Sequence, residues 1–297
     1  MTRFEIEESF KKLQLEIIAS LENADGIGKF QFDQWHREEG GGGLTSVLEN
    51  GKILEKGGVN FSAVSGPLNA AAAKSLGVEP GNFFATGVSI VLHPKNPLVP
   101  IIHMNIRYFE MDAGAYWFGG GIDLTPHYVD EKQARFFHQA LKNTCDKHDS
   151  SFYPEFKTWA DDYFFIKHRN ETRGIGGIFF DRMNEESRAK SKEQLFNFVL
   201  DVGKSFAPVY TYFMENLHDL PYTQDQKNWQ FLRRGRYVEF NLVYDRGTRF
   251  GLETGGRTES ILMSLPAEAH WKYDFKTEPG SEEEKTLSLL KKGLQWA

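Results

Sequence analysis

Residues 103–110 read His-Met-Asn-Ile-Arg-Tyr-Phe-Glu, a stretch in which polar and apolar side chains alternate. Successive side chains of a β-strand point to opposite faces of a sheet. The pattern therefore predicts a strand that carries His103, Asn105 and Arg107 on one face. The other face carries Ile106 and its apolar neighbours, and it suits a hydrophobic core. The polar face is then available to bind a ligand or to take part in a reaction.

Three consecutive glycines, residues 119–121, follow this strand and precede Asp123. Glycine has no side chain, so another backbone or a flat ligand can approach the chain closely there. A second alternating stretch, residues 86–93, places Ser89 on a polar face. The Asn-Pro turn at 96–97 favours pairing of the two strands, so we expect their polar faces to form one wall of a pocket.

The local sequence leaves two interpretations of Asp123. The Leu-Thr-Pro sequence at 124–126 is typical of a turn or a helix cap, where a short acidic side chain binds backbone N–H groups. The tryptophan and phenylalanine at 117–118 are typical of an aromatic pocket instead. A carboxylate in such a pocket can accept a hydrogen bond or a proton from a ligand. Both interpretations stay open at this level.

Arginine residues lie inside or beside predicted strands, although the chain is acidic overall. Unpaired charge is costly to bury, so these guanidinium groups need anionic partners. For a single arginine, a structural pair with an acid such as Asp181 or Glu239 is the commoner explanation. The set as a whole favours bidentate binding of substrate carboxylates. It comprises Arg107, Arg169, Arg173, Arg233, Arg234, Arg236, Arg246, Arg249 and Arg257, and we take Arg107, Arg173 and Arg257 as candidates for substrate binding.

A Gly-Gly-Arg sequence covers Gly255, Gly256 and Arg257. Consecutive backbone N–H groups of the two glycines can form an anion-binding concavity, with the guanidinium beside it. A glycine-rich hairpin with a solvated arginine fits the same residues. Both interpretations stay open.

The nine histidines show neither HExxH nor another spacing that would indicate a metal site. His103 is the strongest functional candidate, because Asn105 and Arg107 share its strand face. Hydrogen-bonded core or pocket positions are expected for the others. The single cysteine, Cys145, excludes an internal disulfide and a cysteine-based metal cage, and it suits a reducing compartment.

The bulk composition limits the classes of binding partner and the location that we expect. A net charge of −6 and a pI near 5.9 argue against nucleic acid or an anionic membrane as the main partner. The first residues have the acidic character that signal and transit peptides lack. No stretch approaches the roughly 18 apolar residues of a membrane span. We therefore expect a cytoplasmic protein with no nucleic-acid partner and no transmembrane segment.

The order of the predicted elements indicates one α+β domain over residues 1–297. Its large, mainly antiparallel sheet is flanked by helices on both sides, since short turns join several strand pairs. The glycines at 40–43 form a hairpin tip or a lid. Predicted helices begin with an amphipathic helix at about 2–24 and continue at about 69–75, 130–144, 155–168, 192–216, 224–233 and 281–295. Predicted strands cover about 30–37, 59–64, 86–93, 102–109, 175–180, 236–244 and 259–265.

Four motifs resemble oxygen-dependent coproporphyrinogen III oxidases, in the same order along the chain. They are residues 103–109, 117–126, 167–181 and 234–247. Members of this family oxidatively decarboxylate two propionates of coproporphyrinogen III to vinyl groups, giving protoporphyrinogen IX in haem biosynthesis, with O2 as oxidant. The resemblance therefore implies the same fold and enzyme activity. It also implies that no organic cofactor is required and that the protein is a homodimer with its interface around 237–265.

The resemblance assigns roles to individual residues. Asp123 matches the carboxylate that binds or deprotonates the pyrrole nitrogens, and His103 matches the proposed proton donor. Asp245 and Arg246 match a second carboxylate and a guanidinium that are regarded as functionally important in the family. Substrate contacts match Ser89, Asn105, Ile106, Arg107, Gly255, Gly256 and Arg257. The histidines assigned to a divalent metal in bacterial relatives match His93, His103, His138 and His168.

Two alternatives stay open beside a cofactor-free oxidase. A metal-dependent oxygenase would use the set of four histidines, and activity after chelation distinguishes it. A non-catalytic tetrapyrrole-binding protein would hold coproporphyrinogen without turnover.

Overall fold

A seven-stranded antiparallel sheet forms the centre of the structure, which is a computed structural model describing residues 1–68, 70–253 and 256–297. The strands are β1 (Gln31–His36), β2 (Gly41–Glu49), β3 (Leu54–Pro67), β4 (Asn82–Pro94), β5 (Ile101–Met111), β6 (Tyr116–Thr125), β7 (Phe165–Ile166), β8 (Glu171–Thr172) and β9 (Gly177–Met183). β1 to β6 pair in chain order and β9 adds to the free side of β6, while β7 and β8 form a separate hairpin. The predicted antiparallel α+β architecture is confirmed.

Ten helices lie in the described part of the chain. Thr2 and Glu5 form a capping box at the start of the first, and Asp130 caps the third by accepting from the backbone N–H of Gln133. The helices are α1 (Arg3–Asp25), α2 (Ala70–Leu76), α3 (Glu131–Asp146), α4 (Phe152–Tyr163), α5 (Glu185–Arg188), α6 (Lys192–Leu217), α7 (Gln224–Val243), α8 (Arg246–Glu253), α9 (Thr258–Leu262) and α10 (Glu282–Leu289).

Helices cover both faces of the sheet, as predicted. On one face, Gly203 of α6 lies directly against Ile106 of β5, and α1 packs there as well. On the opposite face, Tyr237 of α7 packs with Val91 and Ile101 of the sheet. Because strand side chains alternate, the face below α7 is the one that carries the polar residues of β5.

The strand predicted for residues 236–244 is wrong, because α7 continues through this segment to Val243. Its aromatic and branched side chains alternate with polar ones and imitate a strand. Tyr237, Phe240 and Asn241 are all buried, and their spacing of three and four residues is that of one helix face. The helix predicted over 224–233 is therefore only the first half of α7.

The strand predicted for residues 259–265 is also wrong, because the short helix α9 occupies this segment. The segment lies across the polar face of the sheet instead of extending the sheet. The Ser260 carbonyl accepts a hydrogen bond from Nδ2 of Asn60 at 3.0 Å, and the Ser260 hydroxyl is 2.7 Å from that of Thr45. The sheet thus contacts this segment through side chains, and no strand ladder forms there.

Smaller differences concern the ends of elements. α4 ends at Tyr163 and α10 ends at Leu289, both before the predicted ends. The predicted hairpin tip joins β1 and β2 at residues 37–40, so Gly40 lies in the turn while the next three glycines begin β2. Gly40 and Gly41 have φ values of 132° and 79°, which favour glycine. Asn69, the predicted start of the second helix, lies outside the described residues. Among the helices described, none has both the length and the apolar character to cross a membrane.

Candidate active site

Neighbouring strands place the predicted polar residues side by side on one face of the sheet. Ser89 of β4 lies opposite Asn105 of β5, and Asn105 lies opposite Gly121 of β6. One row further along the strands, His103 lies opposite Asp123. The predicted pairing of the two strands, with their polar side chains on one face, is therefore confirmed, and the pocket that this face was expected to line stays a prediction.

Arg107 lies over Gly119 on the same face. Its Nη2 atom is 2.9 Å from Oδ1 of Asp181, and its Nη1 donates to Oδ1 of Asn105 at 3.0 Å. A Cβ atom at position 119 would lie 2.5 Å from Oδ1 of Asp181 and 2.8 Å from Nη2 of Arg107. Gly119 therefore makes room for the ion pair. The Arg107 side chain is still 36% exposed, which leaves further N–H donors for an anion.

Asp123 is buried, and both of its oxygens accept hydrogen bonds from cations or an imidazole. Arg173 donates from Nη2 to Oδ1 at 2.7 Å and from Nε to Oδ2 at 3.2 Å, and Nδ1 of His103 lies 2.9 Å from Oδ1. Burial alone would raise the pKa of Asp123, but the charge of Arg173 and the contact with His103 outweigh it and lower the pKa. Asp123 is thus an ionised carboxylate inside the protein.

Arg173 sits in a cage of three aromatic rings behind Asp123. Its guanidinium carbon lies 4.5, 4.7 and 4.6 Å from the ring centres of Phe164, Tyr237 and Phe240. Its Nη1 donates to Oδ1 of Asn241 at 2.7 Å. Burial opposes the charge, yet the charge of Asp123 raises the pKa of Arg173 above its ordinary value. With 2% of the side chain exposed, Arg173 is placed to support Asp123, and its predicted substrate contact stays a prediction.

His103 lies between Asp123 and the open part of the face, with 21% of its side chain exposed. An ionised carboxylate only accepts hydrogen bonds, so in the neutral ring Nδ1 carries the proton and Nε2 is the acceptor. This is how an aspartate orients the histidine of a hydrolase triad. The pair can take up a proton at Nε2 and stabilise the imidazolium that forms.

Asp245 and Arg246 lie at the start of α8. Oδ2 of Asp245 accepts from both the backbone N–H and the hydroxyl of Thr248 at 2.8 Å, which is the geometry of a helix cap. Its Oδ1 accepts from the Tyr163 hydroxyl at 2.9 Å. Burial raises the pKa of Tyr163, the charge of Asp245 raises it further, and the charge of Arg107 lowers it. The structure therefore places Asp245 near the polar face, in a capping role, with Arg246 exposed beside Tyr163.

Arg257 lies over β1 and β2 on the same side of the sheet. It pairs with Asp33, and its Nη1 is 3.4 Å from the hydroxyl of Thr45. Strands β2 and β5 are three places apart in the sheet, so Arg257 is about 14 Å from the row of Asn105. The backbone N–H of Gly256 donates to Gly251 at 2.7 Å, and Gly255 lies outside the described residues.

Ile106 is placed apart from the other candidates. Its side chain belongs to the core on the opposite face of the sheet, and its backbone pairs with Val88 and Gly120. Two cavities of about 440 and 180 Å³ open elsewhere, and neither is lined by Asp123 or Arg107. The accessible part of the polar face instead includes the partly exposed Ser89, His103, Asn105 and Arg107.

The four histidines that match the metal-assigned histidines of bacterial relatives lie in different environments. His93 is 2.8 Å from the Ser264 carbonyl, and burial lowers its pKa to about 3. His138 contacts the Ile175 carbonyl, and burial lowers its pKa to about 4. His168 is 2.7 Å from Glu239 at the surface. Among the residues described, no three His, Cys, Asp or Glu side chains are grouped to hold a metal ion.

Sequence reasoning missed Tyr163, Tyr237 and Asn241, which hold Asp245 and Arg173 in place. A helical pattern could have found two of them, because Arg234, Tyr237 and Asn241 recur at spacings of three and four residues. Tyr163 carries no comparable local signal, since it contacts Asp245 across 82 positions of the chain.

Comparison with known proteins agrees with the resemblance of the motifs. The family described as coproporphyrinogen III oxidase matches residues 5–296. A chloroplastic oxygen-dependent coproporphyrinogen-III oxidase of Glycine max is 50% identical over 99% of this chain and 79% of its own length. Oxygen-dependent coproporphyrinogen-III oxidases of Drosophila melanogaster (48%, over 99% of this chain and 78% of the relative) and Rattus norvegicus (mitochondrial, 48%, over 95% and 66%) are similar as well. The chain therefore belongs to the coproporphyrinogen III oxidase family.

Proposed function

We propose that this chain oxidatively decarboxylates two propionates of coproporphyrinogen III with O2, giving protoporphyrinogen IX in haem biosynthesis. Each step converts one propionate and one O2 into a vinyl group, CO2 and H2O2, which balances atoms and electrons. Family membership supports the substrate and the reaction. The observation that supports the chemistry is the buried Asp123 carboxylate in contact with a partly exposed His103, on the same sheet face as Arg107.

We assign proton transfer with the substrate to His103. Both oxygens of Asp123 are taken by Arg173 and His103, so Nε2 of His103 is the group that can reach a pyrrole N–H. Removal of that proton makes the electron-rich ring reactive toward O2. Asp123 then acts through His103, by fixing its tautomer and stabilising its protonated form.

Arg107 and Arg257 are proposed to bind propionates at separate points of the ring. They lie on the same sheet face, and a flat macrocycle between them would contact Ser89 and Asn105. Gly119 and Gly121 keep that part of β6 free of side chains. Guanidinium groups bind carboxylates through paired N–H donors, which suits this assignment.

Metal-stripped protein should release CO2 from coproporphyrinogen III in air and not under anaerobic conditions. We expect this because O2 accepts the two electrons of each step, and we propose that neither an organic cofactor nor a metal is required. Trapped CO2 is the measurement. Loss of release that a divalent metal restores would establish the metal-dependent oxygenase instead. Binding of the substrate without CO2 release in air would establish the non-catalytic alternative.

We further propose a homodimer with its interface around residues 237–265. Leu242, Val243, Phe250 and Leu252 are 46%, 51%, 38% and 43% exposed there, and a cluster of exposed apolar side chains favours association. Sedimentation should show a dimer that Leu242→Glu converts to monomers. The matched control is Leu15→Glu, which changes an equally exposed leucine of α1. A wild-type monomer, or a dimer that persists in Leu242→Glu, would contradict the proposed interface.

A cytoplasmic location is also proposed, on the basis of the single buried Cys145 and the acidic composition. Relatives include proteins named as chloroplastic and mitochondrial. Fractionation of the source cells distinguishes these locations.

A further inference from the structure

A second group of arginines lines a cavity on α7, away from Asp123. The cavity has a volume of about 180 Å³, and Arg169, Arg233 and Arg236 lie in its wall together with Trp229 and Phe275. None of the residues that line this cavity belongs to the candidate active site. The cavity and the candidate active site are therefore separate.

Arg233 has hydrogen-bonding capacity that the described protein leaves unused. Its side chain is 3% exposed, and its Nη1 donates to Oε1 of Glu171 at 2.8 Å. Its Nε and Nη2 atoms are buried and have no hydrogen-bond partner within the described ranges. A buried donor without an acceptor is costly, above all on a charged group. An anion in the cavity would supply the missing acceptor.

The charges around the cavity do not balance. Glu239 accepts from Arg169 at 2.7 and 2.8 Å, from Arg236 at 3.1 Å and from Trp271 at 3.0 Å. The Glu239 carboxylate thus pairs with both Arg169 and Arg236, and Glu171 pairs with Arg233. The charged groups of this cluster therefore leave one excess positive charge on three arginines and two glutamates. Burial, followed by the charges of Arg169 and Arg233, lowers the pKa of Arg236, as expected where positive charge is in excess.

We propose that this cavity is a second small-molecule site, which takes a carboxylate with a short apolar chain. The carboxylate would lie against Arg233 and Arg236, whose planar forks suit two oxygens. The rings of Trp229 and Phe275 would hold the chain. A cavity below about 300 Å³ is smaller than sites for drug-sized ligands, so the occupant is small. This proposal does not rest on the reaction proposed above.

Butyrate is the probe, and its dissociation constant is measured by ligand-observed NMR with the full-length protein. Butyrate should bind about tenfold more tightly than acetate, because it buries two additional methylene groups. Arg236→Gln should weaken butyrate binding by about tenfold or more, since a charge-assisted contact is lost. Arg233→Gln should weaken it further, and Arg236→Gln decides the question if Arg233→Gln fails to fold.

Two control variants show where the probe binds. Arg135→Gln removes an exposed arginine of α3 that pairs with Glu131, and it should leave butyrate affinity unchanged. Arg107→Gln removes the arginine of the candidate active site and should also leave it unchanged. The proposal is overturned if butyrate binds no more tightly than acetate or inorganic phosphate. It is also overturned if affinity survives in Arg236→Gln or is lost in Arg107→Gln.

Discussion

Asp123→Asn should lower kcat by about 10²–10⁴-fold while KM changes little. Asparagine keeps the shape of the side chain but removes the negative charge that orients the His103 ring and stabilises its protonated form. Substrate binding depends on other groups, above all Arg107, and these stay in place. Steady-state CO2 release from coproporphyrinogen III measures both constants.

Two comparisons separate this role from a general loss of structure. Arg107→Ala should give the opposite result, with a raised KM and a smaller change in kcat, because it removes a proposed propionate contact. His103→Gln should resemble Asp123→Asn, and the double variant should lose little more, since the two residues act as a unit. A folded Asp123→Asn protein with the wild-type kcat would rule out the proposed pair.

The polar face could be predicted from the sequence because it depends on local geometry. Alternation in β5 fixes which side chains share a face. A tight turn at residues 112–115 closes the hairpin of β5 and β6, and that closure sets His103 opposite Asp123. The pairing could thus be derived by counting outward from the turn.

The partner of Asp123 could not be predicted in this way. Arg173 lies 50 positions further along the chain, next to a segment that hydrogen-bonds to Leu124, and Tyr237 and Phe240 of α7 pack around its guanidinium. Interpretation of residues 236–244 as a strand removed that helix face from consideration. The helix cap made by Asp245 could be predicted from the sequence, because the Asp-x-x-Thr spacing to Thr248 is a local signal.

Arg173→Met should destabilise the protein by about 3–5 kcal/mol at pH 7, because it leaves the buried Asp123 carboxylate without its cation. The wild-type carboxyl has a lowered pKa, so its pairing contributes stability above about pH 4 and this is lost as the pH falls through the folded pKa. In the variant, only the contact with His103 still opposes burial, so the pKa of Asp123 rises. The difference in unfolding free energy should therefore be largest near pH 7 and should shrink toward pH 4. Urea unfolding at several pH values measures it.

Two variants test whether the effect comes from the unpaired charge. Asp123→Leu combined with Arg173→Met removes both charges, and it should be more stable than Arg173→Met alone, since a buried ion pair can be replaced by apolar groups at little cost. Arg135→Gln breaks an exposed pair with Glu131 and should cost less than about 1 kcal/mol. A destabilisation by Arg173→Met that is independent of pH, or that the second substitution deepens, would mean that lost packing against Phe164, Tyr237 and Phe240 is the cause. The carboxylate of Asp123 would then not depend on Arg173 for its charge.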